Sequence, residues 1–304
     1  MTEEIVLRLA RTARDLSGSR RLTMAGGVAL NCVANGKILE SGMFDDIWIQ
    51  PAAGDAGGAV GAAYAVWRIH QSQPRLERRS LADAGAESHP GCADEMSGSY
   101  LGPEFSSKQI VQTIDRYNAR ARHYEGFAAL AADVASRLAA GEVGGWFQGR
   151  MEFGPRALGN RSILASPLDP YSTENLNVFI KHREPFRKFA ASVPVEVARE
   201  YFETGPNARY LATVGRVRAQ HRKTFEAAIL GEDMIRAHVV AEKDNPLYHR
   251  LLLEAGKATG LPVLYNTSFN LFGDPLVSAP RDAVRSFYSS GIDAMFVGNF
   301  LLEK

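Results

Sequence analysis

Cysteine is scarce: the 304-residue chain holds two, Cys32 and Cys92. Two thiols supply neither a disulfide framework nor the spaced ligand sets of a structural zinc site. A reducing, cytoplasmic compartment is the expectation. Net charge is nearly absent as well, at +1, so no broad basic field exists to hold nucleic acid. No apolar run is long enough to span a bilayer, which excludes a membrane partner of that kind. Met1-Thr-Glu-Glu-Ile5 has neither the basic nor the apolar region of a signal peptide. No internal repeat is visible. What remains is ordinary globular chemistry, 45% hydrophobic and 23% charged, in a length that fits one large domain or two smaller ones.

Against this even background one stretch is unusual. Gly149-Arg-Met-Glu-Phe-Gly-Pro-Arg-Ala-Leu-Gly-Asn-Arg161 carries three arginines and three glycines in thirteen positions. It follows Val143-Gly-Gly-Trp-Phe147, which reads as a buried strand. A glycine-broken basic loop at a strand end presents cations and bare backbone N–H groups to an anion. Arginine grips phosphate or carboxylate bidentately. From Gln148 to Ala190 seven Lys/Arg stand against four acids, a local excess suited to a small polyanion. The alternative is a surface loop of solvated arginines, which Glu152 and Pro155 argue against by stiffening the segment.

In chain order, Glu3 to Leu16 reads as an amphipathic helix with Ile5, Leu9, Ala13 and Leu16 on its apolar face. Leu22 to Ala25 is a strand that runs into Gly26-Gly27, and Val28 to Leu39 is a helix stopped by Gly42. Glycines at a strand–helix turn admit a phosphate or ribose, or serve packing alone. Ile47 to Ile49 is the next strand. Pro51 to Ala63 is a loop and then a helix of small residues, which implies close helix–sheet packing. Asp55 in that segment is either a helix cap or a metal or phosphate-site ligand, and spacing favours the cap. Ser72 to Gly98 loses all periodicity and reads as a linker, partly disordered. His89 and Cys92 within it have no partners for a metal site.

Beyond Tyr100, helices are expected over Ser107–Tyr117, Phe127–Ala140, Thr173–Lys181, Pro246–Thr259 and Pro280–Ser290. Strands are expected over Ala190–Val195, Arg209–Val214, Arg236–Val240, Pro262–Tyr265 and Ala294–Val297. The helix at 173–181 delivers a second basic cluster, Lys181-His-Arg-Glu-Pro-Phe-Arg-Lys188. His182 there is a general base, a phosphate ligand or a surface histidine. The last-but-one strand opens onto a polar loop, Asn266-Thr-Ser-Phe-Asn270, suited to a nucleotide or a carbamoyl group or else to simple turn chemistry. Strands alternate with helices, so the class is α/β or α+β.

Three of these motifs carry a resemblance: Arg150 to Ser162, Lys181 to Ala190 and Pro262 to Asn270. They resemble the C-terminal domain of the carbamoyltransferases, the nodulation-protein-U type and the O-carbamoyltransferases of antibiotic biosynthesis. Gly26 to Lys37 and Gln50 to Ala59 resemble the end of that family's first domain. The resemblance implies a first domain similar to the actin-like ATPase superfamily, present as a C-terminal remnant over 1–72. A linker over 73–99 and a threonylcarbamoyl-adenylate-synthase-like (YrdC-like) domain over 100–304 follow.

The implied activity is a one-carbon transferase that makes carbamoyl-adenylate from carbamoyl phosphate and ATP. The carbamoyl group then passes to a hydroxyl of a small acceptor, a natural product or a sugar. Arg150, Arg156, Lys181, His182 and Arg183 would act on the phosphates. Gly26, Gly27, Asn160, Arg161, Asn266, Thr267, Ser268 and Asn270 would hold the nucleotide or the carbamoyl group. Asp55 would be a ligand of a divalent metal, iron or magnesium. Family members also carry two metal-binding histidines one helical turn apart. None of His70, His89, His123, His182, His221, His238 or His249 forms such a pair. The family usually shows glutamine where His238 stands. Two other readings follow: a partial subunit of a split carbamoyltransferase, completed by a partner chain or a homo-oligomer, and a tRNA threonylcarbamoyl-adenylate synthase.

Overall fold

The computed structural model describes residues 1–74, 96–205 and 207–304. Most of the expected linker, with His89 and Cys92, lies outside the described residues. The chain forms two compact units. The first takes Met1–Ser99 together with Phe153–Pro155 and Gly205–Val214, and the second takes the rest from Tyr100 onward.

The first unit begins with α1, Thr2–Ser17, which Gly18 ends in the left-handed conformation at φ 67°. Its buried residues are Val6 and Ala10. The stripe that periodicity assigns to the core is instead exposed: Ile5, Leu9, Ala13 and Leu16 all face solvent. β1, Arg21–Met24, follows, and then the continuous helix expected from Val28 breaks in two. Gly27–Leu30 is a tight turn, and α2 is Cys32–Glu40. The break is at Asn31, whose side chain accepts the Ala34 N–H at 3.2 Å and caps α2. β2, Asp46–Ile49, pairs with β1 in parallel, Arg21 opposite Asp46. α3, Asp55–Ala65, continues as a wider turn over Val66–His70. Gly57 is required there, because a Cβ would lie 2.2 Å from the Ala52 carbonyl oxygen. The close helix–sheet packing expected of the other small residues is not formed, since α3 buries no residue.

Residues 205–214 complete this unit through two buried amides. Asn35 Nδ2 donates to the carbonyls of Ala29 (2.8 Å) and Ala212 (2.7 Å), and Asn207 Nδ2 donates to Ile47 (2.7 Å). Trp48 meets Tyr210 edge-on with centroids 6.0 Å apart. The strand expected over Arg209–Val214 is absent. Ala208–Tyr210 is a tight turn bounded by Asn207 and Leu211, both left-handed (φ 66° and 56°), a conformation that no strand admits.

The second unit is built on α4 (Ser107–Arg116), β3 (Ala121–His123), α5 (Phe127–Ala139), β4 (Gly144–Phe147) and β5 (Arg161–Ala165). It continues through α6 (Ser172–Glu174), β6 (Ala190–Pro194), α7 (Ala198–Tyr201), β7 (Phe202–Glu203), β8 (Gly215–Val217) and α8 (Arg222–Phe225). β9 (Met234–Val240), α9 (Pro246–Thr259), β10 (Leu264–Ser268), α10 (Pro280–Tyr288), β11 (Ala294–Val297) and β12 (Phe300–Glu303) close it. The α-helix expected over 173–181 is only three residues long before it widens to a π turn over Asn175–Ile180.

The strands form one mixed sheet in the order β3-β12-β11-β4-β5-β10-β6-β9-β8-β7. β4–β11 and β6–β9 are parallel and the other pairs antiparallel. One face packs Trp146, Leu164, Leu264 and Phe296 against α5 and α9 through Leu130, Val134, Leu138, Leu251 and Leu252. The other packs Ile163, Tyr265 and Val297 with Ile110 and Ile114 of α4 and Val284 and Phe287 of α10. Each such side chain contributes about 1.5–3 kcal/mol on burial, so two helical layers on one sheet account for the core. α9 matches its sequence signals: Asn245 caps it through the Tyr248 N–H (3.1 Å), Pro246 opens it, and Gly260 stops it at φ 75°. Among the described residues no helix is long and apolar enough to cross a membrane.

Candidate active site

The basic loop is held open from within by a carboxylate. Glu152 is buried, and its Oε1 accepts the backbone N–H groups of Leu158 (2.7 Å), Asn160 (2.8 Å) and Arg161 (3.3 Å). Burial pushes this carboxyl above the usual carboxylate range, against the opposing pull of those N–H groups and of Arg161. Asn160 ties the loop a second time. Its Nδ2 donates to the Arg150 carbonyl (2.7 Å), and its Oδ1 accepts from Asn245 Nδ2 (2.9 Å). Tyr100 OH donates to the Leu158 carbonyl (2.7 Å). Gly159 sits at φ +101°, where a Cβ would lie 2.1 Å from the Tyr248 ring. Gly159→Ala is therefore expected to lower stability by about 2–4 kcal/mol, combining left-handed strain with overpacking. A thermal melt checks this, and a shift below 1 °C contradicts the stated packing.

Arg161 lies at the start of β5 and not in the loop, and it is fully buried. Its Nη1 donates to the carbonyls of Gln148 (2.6 Å), Asn160 (2.9 Å) and Gly149 (3.3 Å), and its Nη2 to Gly149 (3.2 Å) and Pro103 (3.3 Å). The guanidinium also stacks 3.6 Å over the Phe147 ring. Arg161 thus braces the loop, with its guanidinium donating to four backbone carbonyls. Arg150 is exposed and donates to the Leu101 carbonyl at 3.0 Å. Arg156 is partly exposed.

The other two motifs meet on β10. Asn266, Thr267 and Ser268 belong to that strand and not to a loop. Polar side chains extend a strand here because alternate positions face different layers. Tyr265 enters the α4/α10 layer and Leu264 the α5/α9 layer, so Asn266 and Ser268 share the face of Leu264. Asn266 is buried, and its Nδ2 donates to the Ala157 carbonyl (3.2 Å) and Ser192 Oγ (3.3 Å). Ser192 Oγ in turn pairs with His238 Nδ1 at 2.9 Å. The Asn266 Oδ1 has no hydrogen-bond partner, which leaves a buried acceptor on the residue whose Nδ2 meets the loop.

Lys181 closes the arrangement. It is 4% exposed, and its Nζ donates to Asn270 Oδ1 (2.6 Å), to the Asn270 carbonyl (2.8 Å) and to the Ser268 carbonyl, with Ser268 Oγ at 3.5 Å. Every partner is neutral. Burial, with the nearby Arg183 charge, pushes the ammonium down to about 7. Arg183 stacks over Phe189 at 4.9 Å and donates to Asn177 Oδ1 (2.8 Å). Burial lowers it first, then the charges of Arg187 and Arg236. Arg236 donates to the Lys188 carbonyl. Cations that depress one another in this way are relieved by an anion. His182, at φ 45°, is exposed.

The structure therefore brings together Asn266, Ser268, Asn270, Lys181 and Arg183, with Ala157 of the basic loop against Asn266. Thr267 stands on the opposite face of β10. Sequence reading missed Ser192, Arg236, Asn245 and Tyr100. Only Asn245 carries a signal, as the residue before Pro246 at a helix start.

Gly26, Gly27 and Asp55 lie in the first unit and are exposed. Gly26 adopts φ +104° and its N–H donates to the Ala53 carbonyl at 2.7 Å. Asp55 is the first residue of α3 behind Gly54, and no side-chain cap is made there. Among the described residues no group of three or more His, Cys, Asp or Glu could hold a metal ion.

Two family models match the chain. "Carbamoyltransferase N-terminus" matches residues 1–64 and "Carbamoyltransferase C-terminus" residues 135–304. An uncharacterised Synechocystis protein is 40% identical over 325 residues, covering 100% of this chain and 51% of its own length. Nodulation protein NolO of Bradyrhizobium diazoefficiens is 38% identical, covering 99% of this chain and 53% of its own length. The 3'-hydroxymethylcephem-O-carbamoyltransferase of Streptomyces clavuligerus is 31% identical, covering 98% and 52%. The chain thus spans about half the length of these relatives.

Proposed function

We propose, from the premise that this chain belongs to the carbamoyltransferase family, that its second unit binds carbamoyl phosphate and ATP and forms carbamoyl-adenylate. The observation that carries the reading is Lys181. It is buried, it is surrounded by neutral oxygens of Ser268 and Asn270, and it lies beside Arg183 with no carboxylate among its hydrogen-bond partners. A lysine kept in that state has hydrogen-bond partners but no counter-charge until an anion arrives.

The chemistry suits such a site. Carbamate is a weak electrophile because its charge is delocalised. Water first cleaves carbamoyl phosphate to carbamate and inorganic phosphate; a carbamate oxygen then attacks the α-phosphorus of ATP, pyrophosphate leaves and a mixed anhydride with AMP remains. A hydroxyl acceptor can then take the carbamoyl carbon, with AMP as the leaving group. The protein's part is to neutralise phosphate charge and to fix geometry. Lys181 and Arg183 supply fixed cations. Asn266 Oδ1, an unpartnered acceptor, suits the carbamoyl NH2. No step is assigned to a metal.

The test is direct. The chain incubated with ATP and carbamoyl phosphate is expected to release pyrophosphate and form carbamoyl-AMP. Folded protein that yields neither product sinks the proposal for this chain alone. Product from threonine and bicarbonate in place of carbamoyl phosphate would instead favour a threonylcarbamoyl-adenylate synthase.

A further inference from the structure

We propose that His238 is a positioning residue. As a hydrogen-bond acceptor it sets the Ser192 hydroxyl, and through it the Asn266 amide, so that Asn266 Oδ1 is kept for the NH2 of a carbamoyl group and a methyl in that place is disfavoured. The inference rests on the reading of the second unit as a carbamoyl-phosphate site and adds the residues that give that site its selectivity.

Three adjacent strands carry the relay. His238 on β9 stands opposite Ser192 on β6, and β6 pairs in turn with β10, which carries Asn266. All three side chains are buried. Their hydrogens are fixed one after another. The Ala157 carbonyl can only accept, and it lies 3.2 Å from Asn266 Nδ2. That contact sets which end of the amide is the donor. The second Nδ2 hydrogen goes to Ser192 Oγ at 3.3 Å. Ser192 Oγ is therefore an acceptor on that side, and its own single hydrogen goes to His238 Nδ1 at 2.9 Å. Nδ1 thus carries a lone pair, and the imidazole is neutral with its proton on Nε2. The Tyr248 ring stacks on the imidazole, with centroids 6.1 Å apart and planes at 22°, and holds its plane.

This sequence of donations has one loose end. Asn266 Oδ1 is buried and has no hydrogen-bond partner, and an unpaired buried acceptor is costly. A donor brought by the substrate completes it, and the carbamoyl NH2 is such a donor. An acetyl group has the same shape with a methyl there and leaves Oδ1 unpaired. Without an acceptor at position 238 the Ser192 hydrogen turns to the amide. It draws Oδ1 to itself and leaves the Asn266 NH2 for the substrate NH2, donor against donor.

The experiment uses the full 304-residue chain and follows pyrophosphate release, with carbamoyl phosphate as substrate and acetyl phosphate as inhibitor. His238→Phe keeps a ring against Tyr248 and removes the acceptor. It should raise the KM for carbamoyl phosphate about tenfold and leave kcat and the KM for ATP within about threefold, because a bond to an NH2 present throughout the reaction is uniform binding. The acetyl phosphate inhibition constant should stay within about twofold, since the methyl never used Oδ1. His238→Asn, whose Oδ1 hangs from Cγ as Nδ1 does, should return the KM to within about threefold of the parent. Ser192→Ala should match His238→Phe, and the double variant should be no worse than either. In nitrogen NMR of the unsubstituted chain, the His238 ring should carry its proton on Nε2 and none on Nδ1. Where His238→Phe does not fold, Ser192→Ala and this tautomer decide. An Nδ1-protonated ring, a phenylalanine variant with the parent's KM, or equal losses for carbamoyl and acetyl phosphate overturns the proposal. If the parent forms carbamoyl-AMP while one of these is seen, the role of His238 alone falls. A parent that forms no product removes the reading of the site, and this role with it.

Discussion

Lys181→Met is expected to reduce carbamoyl-AMP formation by about 100-fold or more, the loss typical when a preorganised charge donor is removed. The variant keeps the volume and apolar stem and removes the ammonium that Ser268 and Asn270 surround. Its fold should survive. The acceptors left unpaired cost about 1–3 kcal/mol, which is offset by no longer burying a cation without a counter-ion. The pH behaviour separates charge from shape. In the folded chain the ammonium titrates at about 7, below its ordinary 10.5. The unfolded chain therefore binds more protons between those values, and stability rises with pH across that window. Anion binding restores the charge, so anion affinity should fall as pH rises above about 7, by up to tenfold per unit. Both slopes should be flat in Lys181→Met. Product formation within tenfold of the parent, or an unchanged pH slope, removes Lys181 from the site.

Glu152→Ala is expected to be the most damaging single change to the second unit's fold. The carboxylate serves three buried N–H groups at once, those of Leu158, Asn160 and Arg161. Removing it orphans all three and takes from buried Arg161 the negative charge that acts on it most strongly. The loss should be about 3–5 kcal/mol, the range for breaking a buried charged network. For a unit of this size that lowers the melting midpoint by roughly 6–20 °C. Glu152→Gln keeps one carboxamide oxygen as acceptor and should fall between the two. An Ala variant that melts within 2 °C of the parent shows that the loop stands without this brace.

Much of the second unit is legible in the sequence, because its helices carry strong punctuation. α9 runs from Pro246 to Thr259 as its Asn, Pro and Gly signals require. The three motifs do converge on one strand. The departures share a physical origin, which is that side-chain type alone does not say what lies opposite. Arg161 reads as an anion-binding loop cation, and only the fold supplies the Phe147 ring and the carbonyls that make it a buried brace. Asn266 and Ser268 read as a turn, yet ladder pairing with Leu164 and Ser162 on β5 keeps them in a strand. Periodicity found α1, but burial falls on Val6 and Ala10 and the expected stripe is exposed. Ser192 gives no local signal at all, since its partners His238 and Asn266 lie on neighbouring strands.

The return of the chain to the first unit at Gly205–Val214 has a consequence for how the protein is made. Asn35 and Ile47 are synthesised long before Ala212 and Asn207, the groups that satisfy them. At about 5–20 residues per second, the ribosome delivers that last piece on the order of ten seconds after Ser99. During that interval the leading segment must wait half-assembled while the strands of the second unit emerge behind it. Its completion is set by the clock of translation and not by its own collapse, and this window is when a chaperone has the most to hold.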